Sequence, residues 1–263
     1  MRCMFQTLRH LGAVPFCLTN VSQLLAAYSC SNPIFGMTTH PLDETKTSGG
    51  SSGGEASLIA MGGSILGIGS DIGGSLRIPA HFCGISSLKP TKGRIFVHGE
   101  RSVVKGKVVG IHGSLGFMSK KVDGVIYAMQ ALLKDPELLM SDLDHNVVPI
   151  PWNERLFCPT TKKKGCSRRK LKIGYYTDDG YFPLTPACKR AVEVAIEALD
   201  NAKCEIVYFR PPHLETLFEM FADHVMADGG IIGANSLEVL KGEEILEPVG
   251  IPFIFIHTMQ DLN

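Results

Sequence analysis

Two serines stand in near-identical settings, Gly49-Gly50-Ser51 within KTSGGSSGGE (46–55) and Gly73-Gly74-Ser75 within SDIGGSLR (70–77), with no histidine beside either. A serine hydroxyl is a poor nucleophile unless a neighbour accepts its proton. The glycines before Ser75 let consecutive backbone N–H groups point one way, because glycine adopts backbone conformations closed to other residues. Amides aimed at the oxygen of a carbonyl whose carbon meets Ser75 Oγ would form an oxyanion hole, where one lost donor costs on the order of 3 kcal/mol. Ser51 and Ser52 can relay a proton from Ser75, but neither can be its final acceptor.

Other readings of the block have less behind them. A Gly/Ser linker predicts polar surroundings, yet the block runs straight into the apolar EASLIAM (55–61). Neither G-x-x-x-x-G-K-[ST] nor G-x-G-x-x-G occurs, although the amino terminus of a helix after SSGG can face an anion. A histidine triad lacks its G-x-S-x-G elbow. His40, His81 and His98 carry no motif that places them beside Ser75, and His81, between Ala80 and Phe82, reads as a core or supporting histidine.

The elements that must hold these residues follow from periodicity and punctuation. Phe5, Leu8 and Leu11 predict a helix over 4–11, AVPFCLT (13–19) a short strand, and SQLLAAYS (22–29) a helix capped by Ser22. NPIFG is a turn, EASLIAM a helix and Ile65–Gly69 a strand. LRIPAHFC is a helix with Pro79 in its first turn and Cys83 and Ile85 turned inward. Short strands and loops fill 93–118. Val122, Ile126, Met129 and Leu133 form the apolar stripe of a helix over 120–133, and Trp152 covers apolar surface. LKIGYY (171–176) reads as a buried strand, 185–202 as a helix with Thr185 as cap and Pro186 in the first turn, and CEIVYF (204–209) as a second strand. That succession is the βαβ signal of a parallel sheet under helices. A last helix is expected over about 213–228, and IPFIFIHTM (251–259), too short to span a membrane, reads as a buried strand cut near its end or as part of a missing surface.

With 263 residues the chain can bury a large core, and no linker divides it. Lys+Arg and Asp+Glu both number 26, so no global field recruits nucleic acid or an acidic membrane. The basic run Lys162, Lys163, Lys164, Arg168, Arg169, Lys170 reads as a solvated loop. Eight cysteines without a CxxC pair or zinc-like spacing point to reduced thiols and an intracellular setting. No signal peptide or membrane-spanning apolar run is evident.

The run GGSSGGEASLIAMGGSILGIGSDIGGSLRIPAHFCGISSLKPT resembles the amidase-signature family, most closely its animal fatty-acid amide hydrolases. GAVPFCLTNVSQ, YSCSNPIFG, GSLGFMSKKVDGV and LKIGYYTDDGYFPLTPA extend the resemblance over most of the chain. It implies an α/β fold with a mixed, largely parallel sheet covered by helices, here one partial domain over 1–263, incomplete at both ends, with its catalytic core at 46–92. By the same resemblance Ser75 is the acylated nucleophile, and Ser51 is the relay serine of a Ser–Ser–Lys triad, often held by a cis peptide. Ser52 supports the turn by hydrogen bonding, and Asp71 and Arg77 brace the loop. The oxyanion is met by the amides of Ile72, Gly73, Gly74 and Ser75, and Leu24, Leu25 and Ala26 line the channel wall.

The implied substrate is a fatty-acid amide, with no cofactor or metal. Full-length relatives associate with endomembranes, a homodimer is the expected assembly, and this chain is expected in the cytoplasm. The triad lysine of the family lies upstream of everything matched here. Lys46, before the signature, and Lys89, in the KPT element, do not occupy its position. The chain is therefore expected to be a catalytically crippled amidase. The alternative is a non-catalytic truncated homologue that acts through association with other subunits.

Overall fold

The computed structural model describes residues 2–25, 27–97, 113–134, 147–154 and 171–225. The expectations for Ala26, His98, the basic run at 162–170 and the apolar segment at 251–259 lie outside the described residues, as do most of the loops at 93–112. The chain divides into two units, one containing the described residues up to Trp152 and the other within Asn153–Ala227.

The first unit begins with α1 (Arg2–His10). Two small antiparallel hairpins follow, β1 (Ser31–Asn32) with β2 (Gly36–Met37) and β3 (Thr39–His40) with β4 (Asp43–Thr47). Next come α2 (Gly53–Ala60), β5 (Gly67–Asp71), α3 (Arg77–Cys83), β6 (Ser86–Leu88), β7 (Ser114–Ser119) and α4 (Val122–Leu133). Its three-stranded sheet has the order β5-β7-β6, and β7 is antiparallel to both neighbours. Gly67 pairs with Met118, Asp71 with Ser114, and Leu88 with Phe117.

This corrects the largely parallel sheet expected from the sequence. The helix α3 does carry the chain from β5 to β6 in a crossover, so those two strands share a direction. The later strand β7, however, enters between them running the opposite way, and the sheet is antiparallel at both of its seams.

All six residues of β7 are buried, which places helices on both faces of the sheet. On one face Leu115 and Phe117 join Met4 and Leu8 of α1 and Val125, Ala128, Met129, Leu132 and Leu133 of α4; Trp152 packs against this cluster. On the other, Met118 joins Ala56 and Ile59 of α2 and Leu76 and Ala80 at α3, with Cys83 and Ile85 packed against them. Each fully buried large apolar side chain contributes about 1.5–3 kcal/mol. The stripe expected on α4 is rotated: Val122 is exposed, because the packed face runs through Val125, Ala128 and Leu132 as well as Met129 and Leu133.

Two upstream expectations fail. Residues 13–19 form no strand; Val14, Phe16 and Leu18 are exposed and the segment pairs with nothing in a sheet. The described residues within 22–29 form only a single 3-10 turn, Gln23–Leu25, in which Leu24 and Leu25 have φ of 57° and 58°. A helix cannot propagate through left-handed residues.

The second unit holds β8 (Lys172–Tyr175), α5 (Pro186–Asn201), β9 (Glu205–Tyr208) and α6 (Leu214–Val225). Here the βαβ reading holds: β8 and β9 pair in parallel, from Lys172 with Glu205 to Tyr175 with Tyr208. Thr185 Oγ1 accepts the Cys188 N–H at the start of α5, and Pro186 occupies its first turn, where no N–H is required. The buried strand expected over 171–176 is corrected: Lys172 and Gly174 of β8 are exposed and only Ile173 and Tyr175 are half-buried, because the alternating face away from α5 is left to solvent. Among the described residues no helix is long and apolar enough to cross a membrane.

Candidate active site

The two Gly-Gly-Ser turns meet. The Ser52 N–H donates to the Ser75 carbonyl at 3.2 Å, which ties the turn leading into α2 to the turn between β5 and α3. Ser51 and Ser52 are buried, at 1% and 6% exposure, whereas Ser75 is half-buried. The Gly50–Ser51 peptide is cis. Gly49 has φ of +80°, and a Cβ there would stand 2.9 Å from Pro79 Cα, so only glycine lets this backbone pass under α3.

The turn between β5 and α3 is anchored on both sides of Ser75. On its carboxyl side Leu76 is fully buried over two glycines paired across the sheet, Gly69 and Gly116. A Cβ on either glycine would come within 2.7 Å of the Leu76 side chain, so the paired glycines make the depression that receives it. On the amino side stands Asp71, the last residue of β5 and wholly buried. Its Oδ1 accepts the Gly74 N–H at 2.8 Å and Arg77 Nη2 at 2.8 Å. Oδ2 accepts Leu76 N–H at 3.0 Å, Arg77 Nε at 3.0 Å and Arg77 N–H at 3.4 Å. Burial by itself would raise the Asp71 carboxyl; the hydrogen bonds from Arg77, Leu76 and Gly74 outweigh it and hold the group below the usual carboxylate range. Asp71 also keeps the Arg77 guanidinium above its ordinary value.

This geometry separates the expected oxyanion donors. The Gly74 N–H is engaged by Asp71, whereas the N–H groups of Ile72, Gly73 and Ser75 have no acceptor among the described residues. Gly74, at φ +126°, is where the turn reverses, so its amide serves the brace while its neighbours stay open. Asp71 and Arg77 form an ion pair that spans the turn carrying Ser75.

The histidines stand elsewhere. His81 is exposed, which corrects its reading as a core residue; α3 buries Pro79 and Ala80 and turns His81 to solvent. His40 donates from Nε2 to the Phe82 carbonyl at 2.9 Å and accepts the Leu42 N–H at Nδ1. Lys46 is 72% exposed and pairs with Asp43 at 2.9 Å. Among the described residues, no lysine is hydrogen-bonded to Ser51, Ser52 or Ser75.

Several supports were not singled out in the sequence. Glu55, in the first turn of α2, accepts Thr19 Oγ1 at 2.8 Å, and its side chain lies over Gly67, where a Cβ would be 2.1 Å from Oε1. Burial pushes its carboxyl up, partly offset by the Thr19 hydroxyl. Asn20 accepts the Gly54 N–H at 3.1 Å through its carbonyl. The signal available for both was local: Thr-Asn is a polar pair inside an otherwise apolar stretch. Leu24 and Leu25 lie in the turn beside this network rather than on a helix.

The amidase family model matches residues 3–250. Over 240 residues, 91% of this chain, it is 42% identical to "Fatty acid amide hydrolase 1" of Caenorhabditis elegans and covers 40% of that protein. It is 43% identical to "Vitamin D3 hydroxylase-associated protein" of Gallus gallus, over 92% of this chain and 49% of the relative. Among solved structures, one titled "Fatty acid amide hydrolase" superposes with a TM-score of 0.81 at 31% identity, covering 93% of this chain and 41% of that one. The chain thus spans less than half the length of these relatives.

Proposed function

The chain belongs to the amidase family and is related to animal fatty-acid amide hydrolases; on that premise we propose that it carries the acyl-serine machinery of a hydrolase acting on fatty-acid amides. Ser75 Oγ attacks the amide carbonyl carbon, and the N–H groups of Ile72, Gly73 and Ser75 receive the developing oxyanion. The C–N bond then breaks, the amine leaves with a proton, and water hydrolyses the acyl-serine to a fatty acid. Ser51 relays the proton between Ser75 and a base, and Ser52 holds the two turns in register.

The observation that carries this reading is the Asp71 brace. It occupies the amide of Gly74 and leaves those on either side open in one turn, next to a half-buried hydroxyl. Preorganised donors of this kind contribute on the order of 3 kcal/mol each to a transition state. No lysine of the chain is assigned as the base. Phosphonylation of Ser75 by a fluorophosphonate rises with pH as the group that takes its proton deprotonates.

Labelling measured from neutral to alkaline pH, with Ser75→Ala as control, tests the proposal. Labelling that persists in S75A defeats the serine assignment. A labelling rate independent of pH defeats the relay to a base.

The exposed apolar residues Val14, Phe16, Leu18, Ile34 and Phe35 favour a second reading, in which the chain associates with other subunits and does no chemistry. Sedimentation velocity separates the two. A monomer that labels at Ser75 excludes it.

A further inference from the structure

Residues 48–52 carry the chain from β4 into α2, and Ser51 lies among them. Glycine does not hold a bend by itself, because many backbone conformations are open to it. The bend at Gly49, with φ of +80°, is therefore fixed from outside. Ser48, wholly buried, anchors one side. Its N–H and its Oγ both donate to the Thr38 carbonyl, at 3.3 and 3.0 Å, and its own carbonyl accepts the Cys83 thiol at 3.4 Å. On the other side a Cβ on Gly53 would lie 2.5 Å from Cys30 Cβ and 2.6 Å from Ser48 Oγ, so the two ends of the turn close on each other. Cys30 is itself tied to the hairpins, because its carbonyl accepts the Thr38 N–H at 2.8 Å.

Thr47 joins these parts. Glu44, Thr45 and Lys46 of β4 are exposed, whereas Thr47, the last residue of the strand, is half-buried. Its Oγ1 accepts the Gly49 N–H at 3.2 Å and the Cys30 N–H at 3.4 Å. Gly49 and Cys30 are both buried, and neither N–H has another acceptor among the described residues. A hydroxyl bonded to the N–H two residues on is a local turn device that threonine shares with serine. The second bond reaches across 17 residues and ties the bend to Cys30. The branched Cβ restricts χ1, which keeps Oγ1 between the two amides.

We propose that Thr47 is a positioning residue for the relay serine: its hydroxyl oxygen fixes the bend at Gly49 against Cys30, and so sets where Ser51 Oγ stands relative to Ser75. The proposal rests on the amide-hydrolase reading above, in which Ser51 carries the Ser75 proton. Thr47 touches no reacting atom. Both of its bonds end on the side chain, so Thr47→Val, which keeps the shape, removes them and leaves two buried N–H groups without an acceptor. Thr47→Ser keeps the oxygen.

The test compares rates of Ser75 labelling by an alkyl fluorophosphonate in the unaltered chain, T47V, T47S and Ser51→Ala. The rate falls about tenfold in T47V, because a displaced proton-transfer partner is felt directly in the barrier, and T47S recovers it to within about twofold. Ser51→Ala slows labelling at least as much as T47V, since Thr47 acts only through Ser51. Thr47→Ala, which leaves room for a water at the two amides, moves the rate in the same direction and serves if T47V does not fold. A T47V rate within about twofold of the unaltered chain, no recovery in T47S, or T47V slower than Ser51→Ala overturns the proposal.

Residue-resolved hydrogen exchange of the unaltered chain reads the clasp without chemistry. The Gly49 and Cys30 amides are expected to exchange at least about tenfold slower than the open amides of Ile72 and Gly73, and equal rates overturn the clasp. If Ser75 is not labelled in the unaltered chain, or if Ser51→Ala labels at the unaltered rate, the hydrolase reading fails and the role of Thr47 fails with it. Slow exchange at Gly49 and Cys30 in that case marks an intact clasp, so the two failures are told apart.

Discussion

Replacing Asp71 with asparagine tests whether one buried carboxylate organises the turn that carries Ser75. Asparagine keeps the shape but has a single acceptor oxygen. If that oxygen takes the Oδ2 position, it retains Leu76 N–H and the Arg77 main-chain and Nε donors. The amide NH₂ then faces the Gly74 N–H and Arg77 Nη2, donor against donor. A buried N–H left without an acceptor costs about 1–3 kcal/mol. The Arg77 side chain is 57% exposed and can turn to water, so its share is at most about 1 kcal/mol.

The expected loss in D71N is therefore about 1–4 kcal/mol, read by denaturant unfolding with Trp152 fluorescence or circular dichroism. A pH signature accompanies it. Because the folded-state pKa of Asp71 is depressed, its contribution is present above the unfolded value near 3.8 and fades as pH falls through the lower folded value. D71N lacks that part of the acid dependence. Ser75 labelling should also fall about 10²-fold or more, since the open amides lose their alignment. A variant within about 0.5 kcal/mol of the unaltered chain, labelling at an unchanged rate, would refute the brace.

Other expectations follow from single contacts. Gly50→Ala drives a Cβ to 2.7 Å from the Ala27 carbonyl and should cost about 1–3 kcal/mol; unfolding curves that superpose on those of the unaltered chain would contradict the close approach. Glu55, its pKa raised by burial, makes the protein less stable as pH rises from its ordinary value near 4.5 through the higher folded one. Glu55→Gln keeps an acceptor for Thr19 and should be at least as stable as the unaltered chain at pH 7, so a clear loss of stability there would count against this account. Burial, with Cys30 close by, pushes the Cys83 thiol up to about 11, and burial also raises Cys30. Iodoacetamide at pH 8 should therefore alkylate the exposed Cys17 at least about tenfold faster than either, as peptide mapping by mass spectrometry would show.

Much of the site was legible because its constraints are local. Glycines 49, 69 and 74 sit where backbone or side chains pass too close for a Cβ or where φ is positive, and such demands leave their mark on the sequence one position at a time. The helix α5 was legible for the same reason: Thr185 and Pro186 mark its start and a 3.6-residue pattern runs through it.

What escaped depended on distant partners. The direction of the sheet turns on β7, which is inserted between β5 and β6 from 26 residues beyond Leu88. Residues 22–29 carry helical periodicity, but the clasp of Asn20, Ala27 and Ser29 on the glycine turn overrides it, and Leu24 and Leu25 turn left-handed. Likewise the amide of Gly74 belongs to the brace because Asp71, three residues earlier, is buried in front of it.

The most direct measurement is peptide-resolved mass spectrometry of the chain after exposure to a long-chain fluorophosphonate. A single phosphonyl group on Ser75, absent from Ser75→Ala and strongly reduced in Asp71→Asn, is the predicted result. Adducts spread over Ser51, Ser52 or surface hydroxyls, or no adduct at any pH, would contradict the claim that the turn between β5 and α3 activates one serine.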